Sequence, residues 1–125
     1  MQRNSKLENL ELAVVSKDNA SHYTWGSECD GWHLAKSERL SVIQECVPPG
    51  AGEVQHYHET AEQFFFVLSG TATIEVEGAI HQLNDQEGIH VPAGVKHVLR
   101  NESEIDLTFL VVSSPPSHGD RVLVG

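Results

Sequence analysis

Hydrophobic and polar positions along this chain of 125 residues alternate over short stretches and almost nowhere repeat with the 3.6-residue period of a helix. The alternation is cleanest in "TATIEVEG" (71–78). There Ala72, Ile74 and Val76 fall on one face and Thr71, Thr73, Glu75 and Glu77 on the other, which predicts a strand with one wet side. Further short runs, many of them β-branched or aromatic, lie at 39–47, 53–58, 63–68, 79–83, 89–91, 97–101 and 105–113. Turn residues such as "PPGAG" (48–52) and "NDQEG" (84–88) separate them. Short strands punctuated in this way predict an all-β sandwich or barrel. Residues 1–38 keep no clean period. "SHYTWGSECDGWHLAKS" (21–37) reads as extra edge strands and loop, so 1–38 is predicted to be an N-terminal arm packed on the barrel or on a partner, and 39–125 the barrel domain. Core packing or coverage of a sheet edge is the expected role of Trp25 and Trp32, with lining a ligand pocket the alternative for each and Trp32 the one named as a pocket candidate.

The run "FFFVL" (64–68) breaks the alternation, being apolar in both phases. A strand hydrophobic on both faces must be covered on both. One face belongs to the barrel interior, and the other predicts contact with the arm or with a second subunit, hence a homodimer.

Composition narrows the function classes. Eight Lys and Arg against eighteen Asp and Glu give a net charge of −10, which argues against binding nucleic acid or anionic membranes, because repulsion from phosphates would dominate. No apolar run approaches the roughly 20 residues of a membrane span. "MQRNSKLENLELAVV" has no secretory h-region, so a cytoplasmic location is expected. Cys29 and Cys46 form no metal-knuckle spacing and are expected as free thiols.

Histidine supplies the candidate chemistry. In "QHYHETAEQ" (55–63), His56 and His58 are two residues apart and point the same way on a strand. "PAGVKH" (92–97) starts another strand with His97 after a Pro-x-Gly turn. Two imidazoles on one strand face plus a third from a distant strand can converge on one metal ion. His22, His81 and His118 are expected to be surface or hydrogen-bonded residues, His90 solvent-facing, and His33 a pocket residue.

Gly50-x5-His56-x-His58-x4-Gln63-x6-Gly70, followed by Pro92-x-Gly94-x2-His97-x3-Asn101, resembles the two motifs of the cupin superfamily. The resemblance implies a double-stranded β-helix, or jelly-roll barrel. It implies one divalent transition metal per chain (Fe, Mn, Ni or Zn) held by His56, His58 and His97. Phe65, Val67, Leu99, His33 and Trp32 are the candidate pocket residues, Phe65 and Val67 because they share the strand phase of Gln63. Two departures stand out. Gln86 occupies the position of a motif glycine, and the spacing back from Gly70 puts Gln63 where the family carries a metal-binding glutamate. Glu62 is one place earlier; the glycine register favours Gln63 as the inward residue and the fourth metal-site residue.

For function the resemblance implies a small-molecule substrate or ligand. A centre of three neutral imidazoles and an amide leaves a divalent metal nearly its whole charge, suited to a chelating or enolisable substrate, with dioxygenase-like chemistry favoured. A sugar isomerase or epimerase and a non-catalytic binding module are the alternatives. No matching lysine-rich phosphate pocket and no acid–base residue inside the barrel are evident from the residues alone.

Overall fold

Alternating sequence becomes eleven strands and no helix among residues 12–124, which the computed structural model describes. The strands are β1 (Ser21–Trp25), β2 (Cys29–Lys36), β3 (Ser41–Val47), β4 (His56–His58), β5 (Glu62–Ser69), β6 (Ala72–Val76), β7 (Ala79–Leu83), β8 (Gly88–Val91), β9 (His97–Arg100), β10 (Leu107–Ser114) and β11 (Arg121–Leu123). They form two sheets, ordered β1-β2-β3-β10-β5-β8 and β11-β4-β9-β6-β7, with every pair antiparallel. Between the sheets lies one apolar core, in which Phe65, Phe109, Ile74, Leu99, Leu107 and Val47 are at most 1% exposed. Such a two-layer closure of antiparallel strands is a jelly-roll barrel.

Residues 21–36 do not stand apart from the barrel. They supply β1 and β2, which extend the large sheet beyond β3. The part of the segment 1–38 before residue 12 lies outside the described residues.

On β6 the predicted wet side is partly covered. Thr73 is buried opposite Arg100, whose guanidinium reaches Glu75 at 3.3 Å and Glu102 on the same side. On β5 both faces are apolar, but differently placed. Phe65 and Val67 enter the core, while Phe64 remains 41% exposed and stacks on Phe66 on the outer face. Both cysteines are free, as their spacing led one to expect.

Three inward-facing rows cross the large sheet, each set by the strand register. The row nearest the barrel mouth runs Gln63, Ser113, Ser41, Lys36 over β5, β10, β3 and β2. The next runs Phe65, Val111, Ile43, His33, and the deepest runs Val67, Phe109, Glu45, Gly31, Tyr23. The middle of the sheet is thus apolar, with polar residues above it and at one end below it.

Candidate metal centre

Antiparallel pairing of β4 with β9 places His56 directly opposite His97, and alternation along β4 puts His58 on the same inner face. All three imidazoles are buried, and one ligating nitrogen from each lies within 4.8 Å of the others. Local sequence fixes this convergence. The Pro92–Val95 turn needs a left-handed residue, and Gly94 (φ +80°) supplies it. The Gly94 N–H then donates to His58 O at 2.7 Å, tying the turn that launches β9 to the strand carrying the histidine pair. Asn101 closes the other end: its buried amide donates to Val47 O and Ile105 O, and its backbone N–H donates to Ala51 O.

Hydrogen bonds also set the imidazole tautomers. Nδ1 of His56 meets Val54 O at 2.7 Å and Nδ1 of His97 meets Val95 O at 3.0 Å, so in each neutral ring Nδ1 carries the proton and Nε2 keeps its lone pair. Burial pushes all three imidazoles below the usual histidine range, His56 to about 4. Neutral rings with free lone pairs are what a metal ion requires. Nε2 of His97, Nδ1 of His58 and Oε1 of Gln63 are buried without a protein partner. Buried polar atoms are ordinarily satisfied, so two orphaned imidazole nitrogens within one histidine cluster fit a bound cation. His56, His58 and His97 can hold a metal ion.

Gln63 faces the cavity at 7% exposure and donates from Nε2 to Ser113 Oγ at 3.0 Å. Glu62 points outward and pairs with His90 across the β5–β8 edge at 2.8 Å. His90 is exposed, in keeping with its expected outward direction. Phe65 packs its ring edge against His97 and lines the cavity, as does His33. Val67 and Leu99 do not line it. Both have no exposure and belong to the packed core below. Trp32 is also corrected: register places it on the outer face of β2, against His22 and under the Lys17 ammonium. Trp25, two residues beyond Tyr23 on β1, is the tryptophan on the cavity wall.

The cavity has a volume of about 510 Å³ and opens beside the segment 116–121, so His118, expected at the surface, stands at its mouth. Sequence reasoning missed more important groups here. Glu45, 8% exposed, lies deep on β3, and the Tyr23 hydroxyl donates to its Oε2 at 3.3 Å. Tyr23 reaches it by crossing over Gly31, where any Cβ would run into the tyrosine ring. Glu53 lines the same cavity and accepts from Leu99 N–H at 3.1 Å. Burial, then the Glu53 charge, pushes the Glu45 carboxyl up to about 8; burial pushes that of Glu53 to about 7. Glu45 follows the odd–even phase of β3, but nothing in "RLSVIQECV" marks one face as a cavity wall.

A family model described as a cupin domain matches residues 43–113. The chain is 36% identical over 121 residues to a mannose-1-phosphate guanylyltransferase of Salmonella montevideo, covering 95% of this chain and 24% of that protein. It spans a quarter or less of the length of the guanylyltransferases it matches. Among solved structures, the protein TT1209 of Thermus thermophilus superposes with a TM-score of 0.64 at 29% identity, over 66% of this chain and 79% of that one. The polyketide cyclase RemF of Streptomyces resistomycificus superposes with a TM-score of 0.79 at 19% identity, over 92% and 87%, a likeness of fold alone.

Proposed function

The chain belongs to the cupin domain family, and we propose that it is a metal-dependent enzyme acting on a small, anionic, enolisable substrate by proton transfer. The observation that carries this reading is the Tyr23–Glu45 pair on the wall of the cavity that is also lined by His56 and His58 of the histidine cluster. His56, His58 and His97 would hold one divalent transition metal (Fe, Mn, Ni or Zn), with Gln63 beside it. Such an ion, when bound, supplies Lewis acidity to a carbonyl oxygen of the substrate.

The chain's own residues do the rest. Glu45, held by the Tyr23 hydroxyl in a buried site, has a carboxyl group that exchanges protons near neutral pH, where acid–base catalysis is most efficient. Ionised Glu45 takes the proton from the carbon beside the carbonyl. The C–H electron pair enters a carbon–carbon bond as the carbonyl π pair moves to oxygen. Return of the proton to the former carbonyl carbon, with the α-hydroxyl proton passing to the former carbonyl oxygen, isomerises the substrate, and return of a proton to the opposite face of the α-carbon epimerises it. Phe65, Ile43 and Val111 form an apolar wall that limits water beside the reacting carbon. The guanylyltransferase relatives are named for mannose 1-phosphate, in keeping with a small, anionic, polyhydroxylated substrate.

Dioxygenase chemistry is the second reading, favoured by the neutral Gln63, which lines the cavity and holds the motif position of a metal-binding glutamate. Two assays on the metal-loaded protein separate the readings. Proton transfer predicts that the α-proton of small hydroxyaldehydes and hydroxyketones washes into D2O, with the rate falling at least about a hundredfold in Glu45→Gln. Oxygen uptake on chelating enols without such exchange favours the dioxygenase, and binding with neither favours a ligand-binding module. We further propose that the protein is a cytoplasmic homodimer joined through the outer face of the large sheet.

A further inference from the structure

The mouth row of the large sheet stands out chemically. Four successive strands each present a polar side chain inward at one level: Gln63, Ser113, Ser41 and Lys36. All four line the cavity, and the first three are at most 7% exposed. Inward rows of a barrel are normally apolar, as the adjacent Phe65–Val111–Ile43 row is. Lys36 joins this row through an irregularity. A bulge at Leu34 shifts the β2–β3 pairing, so that Lys36 rather than Ala35 lies opposite Ser41. Bulges re-aim side chains, and this one aims an ammonium at the cavity wall.

Two further observations point to what the row receives. The chain carries ten more acidic than basic charges, yet Lys36 and Arg121 both line this cavity and neither makes an ion pair among the described residues. Arg121, from β11 on the opposite wall, donates only to Val54 O at 3.4 Å and lies beside the His56 ring. His33, in the row below, has its Nδ1 buried without a partner. Gln63, over nine-tenths buried, likewise turns an unpartnered Oε1 into this space. Cations, hydroxyls and an orphaned amide around one opening make a complete set of partners for an oxyanion and the hydroxyl next to it.

We propose that Lys36, Ser41 and Ser113, faced by Arg121, form an oxyanion subsite that takes the phosphate or carboxylate end of a small polyhydroxylated ligand. This deepens the reading of the histidine centre as a substrate site, since it names the class of substrate. The subsite itself is built from residues other than those histidines.

The test is calorimetric binding of glycerol 3-phosphate, glycerate and glycerol to the protein with one equivalent of zinc and to the chelator-treated protein. At least one of the two anions is expected to bind about tenfold or more tighter than glycerol, and Lys36→Met to remove about tenfold of that advantage. Ser41→Ala should weaken the same anion several-fold. Lys17→Met, which deletes an equal charge outside the cavity, should stay within about twofold. Preference for glycerol 3-phosphate identifies a phosphate subsite, and preference for glycerate a carboxylate subsite. Anion binding that depends on Lys36 in both preparations supports the subsite even if the protein fails to take zinc. Equal binding of anions and glycerol, or a Lys36→Met protein that binds the anion as well as a folded wild type, overturns it.

Discussion

On the proposed reading, Gln63 sets how much positive charge a metal would keep in this cavity. Its amide is a neutral, weak oxygen donor, whereas the glutamate found there in related motifs brings a full negative charge. Gln63→Glu is therefore expected to tighten divalent-metal binding by about tenfold and to weaken binding of anionic ligands, both measured by calorimetry. Glu62→Gln, outside the barrel and paired only with His90, should change neither by more than about twofold. Glu45 makes a separate prediction about stability. Its carboxyl rises from about 4.5 in the unfolded chain to about 8 in the fold, because burial and then Glu53 disfavour the charge. The folded state thus binds the proton more tightly. That contribution is whole below pH 4.5 and is lost as the pH climbs through about 8. Between pH 5 and 9 the wild type should lose on the order of 2–4 kcal/mol relative to Glu45→Gln in urea denaturation. Parallel pH profiles for the two proteins would show that Glu45 does not titrate this way.

At the scale of elements, the site depends on a short strand pair at the end of the chain. β11 pairs with β4, setting Arg121 opposite His58 and Leu123 opposite His56. Three residues make a weak strand, and Asp120 reinforces it: one carboxylate oxygen accepts from Thr60 N–H, the Thr60 hydroxyl and Ala61 N–H at 2.9–3.0 Å. Asp120→Ala should free the end of the chain, speed proteolysis after residue 114 and weaken metal binding by about tenfold, while Asp120→Asn retains part of each. An unchanged proteolysis rate would mean that β11 holds without the clamp. These elements also show what sequence can and cannot disclose. β5, β7, β8, β9 and β10 were legible to within two residues, because each carries a β-branched or aromatic run between turn residues. β11 was not, since "RVL" is too short to show a period. Residues 21–37 read as edge strands, but the bounds and phase of β2 hid for another reason: the bulge at Leu34 shifts the phase within the strand, and Gly31 leaves a gap in the alternation for Tyr23 to cross. The three histidines were legible because their spacing alone fixes a common face and a facing strand. Glu45 and Lys36 were not, because each draws its meaning from what stands opposite, and register is a property of the folded sheet.

Over the whole molecule, one sheet has a polar cavity beneath it and an apolar surface above it. Phe64, Phe66 and Leu68 on β5 and Leu110 and Val112 on β10 share the outer face, none of them buried within the chain. Covering such a face with a second copy removes apolar area from water, at about 25 cal/mol per Å². A dimer is expected at micromolar concentration by analytical ultracentrifugation, with Phe64→Asp shifting it to monomer. A wild-type monomer would leave that face without a partner of its own kind. The proposed metal-dependent chemistry, however, turns on whether the buried imidazoles hold an ion, and the most direct measurement is the metal content of purified protein by elemental analysis. One divalent transition metal per chain in the wild type is predicted, falling to near zero in a folded His58→Ala variant. A His58→Ala protein that keeps its full complement of metal would contradict the account and place the site elsewhere.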